Sequence, residues 1–155
     1  MVGLDDIHLY ASSLSLDFRA LLGVRKNVEE SDWRNIGFHR RTVLPPWEDA
    51  VTLAVNAAKP LDTSKVGLLV VGTESAVDFG KPISSWVHGA LNLPGDCRNF
   101  EVKHACYGGT AGLHTALDWL RANPEVDAIF GDYWDVYRLA FQAGRPVRGV
   151  PYPNY

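Results

Sequence analysis

The stretch Val66-Gly67-Leu68-Leu69-Val70-Val71-Gly72-Thr73 constrains this 155-residue chain more than any other. A strand with one wet face alternates apolar and polar residues, whereas an uninterrupted run of branched apolar side chains needs cover on both faces. Residues 66–71 therefore predict a central strand with helices packed above and below it, and a chain of this length is long enough to bury one such core.

The flanking segments supply that cover. After Pro45-Pro46, residues 47–58 carry Val51, Leu53, Ala54, Val55, Ala57 and Ala58 and read as a largely buried helix, which Pro60 and Asp62 end. Lys81-Pro82-Ile83-Ser84 starts a short helix over residues 84–91, closed by Asn92 and Pro94. Residues 99–103 form a further strand, His104-Ala105-Cys106-Tyr107-Gly108-Gly109 a sharp turn, and residues 110–121 a helix with Ala111, Leu113, Ala116, Leu117 and Leu120 at helical spacing. Asn123-Pro124 stops that helix, and residues 126–130 read as another short strand. Alternation of this kind gives the α/β class, with a layered and partly parallel sheet.

Upstream, residues 7–16 predict a strand leading into a helix over residues 17–22, and the polar residues 24–41, with basic His39-Arg40-Arg41, a surface excursion. Residues 131–155 are rich in aromatics, Arg, Gly and Pro and show no clean continuation of the strand-helix rhythm. The expected organisation is one region over residues 1–130 and a divergent tail over 131–155.

A formal charge of −3, from 15 Lys and Arg against 18 Asp and Glu, provides no basic field for phosphate neutralisation, which disfavours nucleic acid as a partner. The segment MVGLDDIHLY has acids where a secretory signal carries basic residues, and no apolar stretch approaches a bilayer span, so the expectation is a cytoplasmic protein without a membrane partner. Cys97 and Cys106 lack a C-x-x-C spacing, and His8, His39, His88, His104 and His114 form no metal-ligand pattern, so no metal is expected.

Cys106 stands where a buried strand gives way to a helix, and there orphan N–H groups and the helix dipole favour a thiolate. Gly108 and Gly109 remove side chains just beyond it, which leaves room for a thioester carbonyl to approach backbone donors. The competing reading makes Cys106 a small buried hydrophobe at a junction. For Cys97, next to Asp96 and without a glycine-rich helix start behind it, the structural reading is favoured. Glu74 directly follows the central strand and stands where open α/β sheets gather ligands, as a proton-transfer group or as a solvated acid.

At this point a family pattern enters. Glu101-Val102-Lys103-His104-Ala105-Cys106-Tyr107-Gly108-Gly109-Thr110-Ala111-Gly112-Leu113 resembles the nucleophile segment of 3-hydroxy-3-methylglutaryl-CoA synthases, and Leu69-Val70-Val71-Gly72-Thr73-Glu74-Ser75-Ala76-Val77-Asp78 resembles that family's acid/base segment. The two occur in the family's order and at a comparable separation. Lys81-Pro82-Ile83-Ser84-Ser85, Asn35-Ile36-Gly37 and Trp47-Glu48-Asp49-Ala50-Val51-Thr52-Leu53-Ala54 resemble its other stretches, so the likeness covers residues 3–130. Cys106-Tyr107-Gly108-Gly109-Thr110 and Gly37-Phe38-His39-Arg40-Arg41 look closer to the bacterial branch that serves polyketide β-branching on carrier-protein thioesters.

The resemblance implies a thiolase-like layered fold, here an incomplete N-terminal half. It also implies an acyltransfer and condensation chemistry in which Cys106 accepts an acetyl group. Glu74 then assists carbanion formation and protonation as the acetyl group attacks a β-ketoacyl thioester. Gly108, Gly109 and Thr110, inside the matching segment, are the candidate substrate-binding positions. The substrates implied are acetyl-CoA or an acyl carrier protein thioester, with no separate cofactor.

Family members are much longer and take their catalytic histidine from a second half, so none of the five histidines is assigned that role. The expectation is a truncated or internally deleted product that exposes a sheet edge and forms a homodimer or depends on a partner. Two other readings stay open. One is a non-catalytic remnant or interaction module that binds acyl thioesters or a synthase partner; the other is a related ketoacyl synthase, against which Thr73-Glu74 speaks.

Overall fold

The structure, a computed structural model, describes residues 2–17, 19–20, 24, 31, 39–74, 76–134 and 137–143. Its strands are β1 (Leu4–Tyr10), β2 (Leu14–Asp17), β3 (Arg40–Val43), β4 (Val66–Thr73), β5 (Arg98–Lys103), β6 (Asp127–Trp134) and β7 (Tyr137–Ala143). Three helices connect them, α1 (Ala50–Ala58), α2 (Ile83–Ala90) and α3 (Tyr107–Ala122).

Five strands form one sheet in the order β1-β7-β6-β4-β5, and β2 pairs with β3 in a separate antiparallel ribbon. β4 is parallel to both β5 and β6, whereas β7 runs antiparallel to β6 and to β1. The central position expected for residues 66–71 is the observed one. Leu69 and Val71 face a core built with Ala57, Ala58, Ile83 and Val87 of α1 and α2, while Leu68 and Val70 face Ala116 and Leu120 of α3. Each buried Leu or Val contributes about 2 kcal/mol, so Leu68, Leu69, Val70 and Val71 of β4 together contribute about 8 kcal/mol, comparable to the whole net stability of a domain.

The helix boundaries follow from capping. α1 begins at Ala50 rather than at Trp47 because Asp49 and Thr52 form a reciprocal capping box, with Thr52 N donating to Asp49 Oδ1 and Asp49 N to Thr52 Oγ1, each at 2.7 Å. Trp47 is consequently outside the helix and exposed. α2 ends in a Schellman-type turn: Asn92 has φ 51°, and Leu93 N donates to His88 O at 3.1 Å.

Four expectations change. Residues 17–22 were expected to be helical, but Asp17 closes β2, Arg19 and Ala20 alone are described as helix, and the remainder lies outside the described residues. The surface excursion over 24–41 gives way at its end to β3, because residues 40–43 pair with residues 14–17; residues 25–30 and 32–38 lie outside the described residues. The helix expected from residue 110 starts at Tyr107. Beyond residue 130 the chain continues in the sheet, since β6 runs to Trp134 and β7 inserts between β6 and β1, so the boundary at 130 falls inside a strand.

α3 can start early because its first turn rests on backbone. A Cβ on Gly72 would stand 2.7 Å from Gly108 C and from Gly109 N and Cα, and one on Gly112 would stand 2.7 Å from the Phe130 ring. The buried face of α3 is Gly108, Gly109, Gly112, Ala116 and Leu120, so small residues carry more of the contact than the Leu113 and Leu117 of the helical pattern. Gly72→Ala should therefore cost about 3 kcal/mol by overpacking, measured as a loss of free energy in urea unfolding. Gly89→Ala, where a Cβ meets nothing within 4 Å, should gain about 0.5 kcal/mol from helix propensity; equal effects at the two sites would contradict this packing.

Candidate active site

Parallel pairing sends β4 and β5 out of the sheet at the same end. Thr73 is register partner to Lys103, and the ladder extends one residue further because His104 N donates to Thr73 O at 3.2 Å. The next residue of β4's exit is Glu74 and the next residues of β5's exit are Ala105 and Cys106. Neighbouring strands lie about 4.8 Å apart, so the main chains that carry the carboxyl and the thiol emerge side by side.

A tight reversal turns β5 into α3. Ala105 takes φ 26°, a left-handed value that costs a residue with a Cβ about 1 kcal/mol and persists only where the surroundings hold it. They hold it here: Gly108 N donates to His104 O at 2.6 Å and reaches Ala105 O at 3.2 Å, closing the turn around Cys106. Cys106 is the N-cap of α3, and its side chain makes no capping bond. Its thiol is exposed, at the N-terminal end of a sixteen-residue helix.

The sequence-derived candidates therefore separate into two groups. Cys106 and Glu74 come to one end of the sheet, Cys106 exposed and Glu74 half-buried, and Thr110 is exposed on the first turns of α3. Gly108 and Gly109 are buried against β4, where a Cβ on Gly108 would lie 3.0 Å from Val102 O. What these two glycines do in the structure is bring the helix start onto the strand. Cys97 lies before the far end of β5, buried, and burial pushes its thiol up to about 11, with a smaller contribution from Asp96.

The sequence did not single out the rim of this end. Asp78 Oδ1 accepts from Gly80 N at 2.6 Å and Lys81 N at 2.9 Å, and these bonds hold its carboxyl below the usual range. The turn they make presents Phe79 fully to solvent. Lys103 Nζ lies 5.0 Å from the Phe79 ring centroid, Lys81 Nζ 3.4 Å from that of Trp86, and His104 meets Tyr107 edge to face at 5.2 Å. An Asp two residues before a glycine was the available signal. A cavity of about 430 Å³ lies at the opposite end of the sheet, among Lys65, Gly67, Arg98 and Trp119, and takes no part in this site. Among the described residues no group of three or more His, Cys, Asp or Glu could hold a metal ion, and no helix is long and apolar enough to cross a membrane.

An exposed thiol at a helix start, seated on a buried parallel strand of a sheet covered on both faces, defines a thiolase-like layered fold. The sequence model of the hydroxymethylglutaryl-coenzyme A synthase N-terminal region matches residues 47–142, and the chain belongs to that family. It is 35% identical over 136 residues to the polyketide biosynthesis 3-hydroxy-3-methylglutaryl-ACP synthase of Bacillus subtilis, covering 82% of this chain and 32% of that protein. To the hydroxymethylglutaryl-CoA synthase of Enterococcus faecalis it is 33% identical, covering 83% of this chain and 34% of that protein. The chain thus spans about a third of the length of these relatives.

Among solved structures, the HMG synthase of the curacin biosynthetic pathway in complex with apo donor-ACP superposes with a TM-score of 0.83 at 30% identity, over 92% of this chain and 40% of that one. An HMG-CoA synthase complexed with CoA, at 24% identity, gives a TM-score of 0.84 and supports the fold. The family match extends through β6 and into β7, beyond the residue 130 at which the sequence likeness was placed.

Exposure and proton affinity together predict selective alkylation. At pH 8 a thiol titrating at about 11 holds roughly a thousandth of its population as thiolate. Iodoacetamide should modify Cys106 in the native chain at least about a hundredfold faster than Cys97, and both in urea, as read by mass spectrometry of the peptides. Comparable native rates would contradict the burial assigned to Cys97.

Proposed function

We propose that the chain carries the thiol and the carboxyl of a hydroxymethylglutaryl synthase-type condensation in polyketide biosynthesis. The observation behind this reading is the shared exit of β4 and β5, which brings the exposed Cys106 and the half-buried Glu74 to one end of the sheet. The substrate class is the acyl thioester, on coenzyme A or on a carrier protein. The carrier is favoured by the name of the 35% identical relative, an HMG-ACP synthase.

The thiolate of Cys106 attacks the acetyl carbonyl and releases the donor thiol, leaving an acetyl thioester on the protein. Backbone N–H groups at the helix start other than that of Gly108, which already donates to His104 O, stabilise the oxyanion of that transfer. Glu74 takes a proton from the acetyl methyl, and the resulting carbanion equivalent adds to the ketone of a β-ketoacyl thioester. The alkoxide formed recovers a proton, and water cleaves the protein thioester to a carboxylate, which restores the thiol. The thioester supplies the activation, so the scheme calls for no further cofactor, and a cytoplasmic setting keeps Cys106 reduced. Gly108 and Gly109 serve through their backbone, and Thr110 at the mouth contacts the substrate.

Incubation with acetyl-CoA or an acetylated carrier protein should add one acetyl group per chain, and Cys106→Ala should abolish it. Glu74→Gln should leave the acetyl transfer in place while slowing proton exchange of the acetyl methyl by about a hundredfold or more. One other reading is a module that binds acyl thioesters or a synthase partner without condensing them. Absence of acetylation in mass spectra would favour that module.

The proposal includes a second copy or another partner along β5. Among the described residues β5 pairs only with β4, and Phe100 is partly exposed on it. An open edge with an apolar residue invites pairing. Gel filtration should give a dimer or a complex with a partner, and a monodisperse monomer at micromolar concentration would contradict this part.

A further inference from the structure

α2 lacks a local N-cap. Its N-cap residue is Pro82, which has no side chain able to accept and makes no capping bond. The acceptor comes instead from eighteen residues further on: Ile83 N donates to Glu101 Oε2 at 2.7 Å. A carboxylate at a helix start meets both an orphan donor and the positive end of the dipole. Asn99, two residues earlier on the same face of β5, adds a second hold, its Oδ1 accepting from Ser84 Oγ and from Ser85 Oγ at 3.1 Å each. Ser84 is fully buried, so this contact is enclosed.

These bonds fix more than the helix. Residues 74–82 run from the end of β4 to the start of α2, with Glu74 at their first position and the Asp78 turn in their middle. At one end they are tied by β4, and at the other by Glu101. The strand that carries Glu101 continues two residues to Lys103 and then into the Cys106 turn. One strand therefore grips the loop that leads from the carboxyl and also delivers the thiol.

We propose that Glu101 is a positioning residue, setting the loop that begins with Glu74 in register with Cys106. This rests on the reading that Glu74 and Cys106 act on one acetyl group. The proposal requires that loosening α2's start disturb the carboxyl's step and spare the thiol's, because Cys106 is held independently by the bonds among Thr73, His104 and Gly108.

The test uses the full chain with Glu101→Ala and Glu101→Gln, the latter keeping an oxygen that can accept from Ile83 N. Amide hydrogen exchange by mass spectrometry should be at least about tenfold faster over residues 74–85 in Glu101→Ala and unchanged over α1. Cys106 acetylation from acetyl-CoA should stay within about threefold of the wild-type rate, while methyl proton exchange should fall about tenfold or more. Glu101→Gln should restore both readouts. Equal slowing of the two chemical steps, faster exchange in α1 as well, or no local change in exchange would each overturn the proposal. Should the wild-type chain fail to acetylate, the condensing reading falls on its own, and the hydrogen-exchange comparison still decides for or against Glu101.

Discussion

The structure depends on one close approach, the first turn of α3 lying backbone to backbone on the end of β4. No side chain intervenes between Gly72 and the Gly108-Gly109 peptide, and any Cβ on Gly72 would stand 2.7 Å from three of its atoms. Contact at this distance cannot be relaxed by a rotamer change, because neither partner has one. It fixes where the helix starts to within a few tenths of an ångström, and the rest of α3 follows through Gly112 against Phe130 and Ala116 at zero exposure. Close packing of this kind makes interiors sensitive to a single added methyl.

Placing the helix start places the thiol. Cys106 is the residue immediately before α3, so the same contact that seats Gly108 and Gly109 determines where the thiol stands. The left-handed Ala105 is the cost of turning from strand to helix in so few residues, and it is held by the Gly108 N–H on one side and by the Thr73 carbonyl on the other. Thr73 is itself buried and directly precedes Glu74, so the main chains leading to the carboxyl and to the thiol leave the sheet side by side. Around that exit Phe79, Lys81, Trp86 and Tyr107 stand at the surface, Phe79 on the Asp78 turn, Lys81 over the Trp86 ring and Tyr107 edge to face with His104.

Much of this was legible in the sequence, and the parts that were not have a common cause. β4 was readable because cover on both faces writes itself as an unbroken apolar run, and the Cys106 turn because a family pattern runs through it. The start of α3 was placed three residues late because glycine disfavours helix locally, whereas here the lack of a side chain is what the tertiary contact requires. β7 escaped notice because the link from Trp134 to Tyr137 is Asp135-Val136, without the glycine that marks a tight hairpin. Capping of α2 by Glu101 could not be read from local pattern at all, since donor and acceptor lie eighteen residues apart. Asp49 and Thr52, by contrast, stand three residues apart, so the cap of α1 is local.

The central claim is that the glycine-seated junction, and not merely the presence of a cysteine, makes the thiol competent. Its most direct measurement is the rate of Cys106 acetylation by acetyl-CoA in Gly72→Ala and Gly89→Ala, under conditions where circular dichroism shows both folded. The account predicts a rate at least about tenfold below wild type for Gly72→Ala and an unchanged rate for Gly89→Ala. The same rate in all three proteins would contradict it.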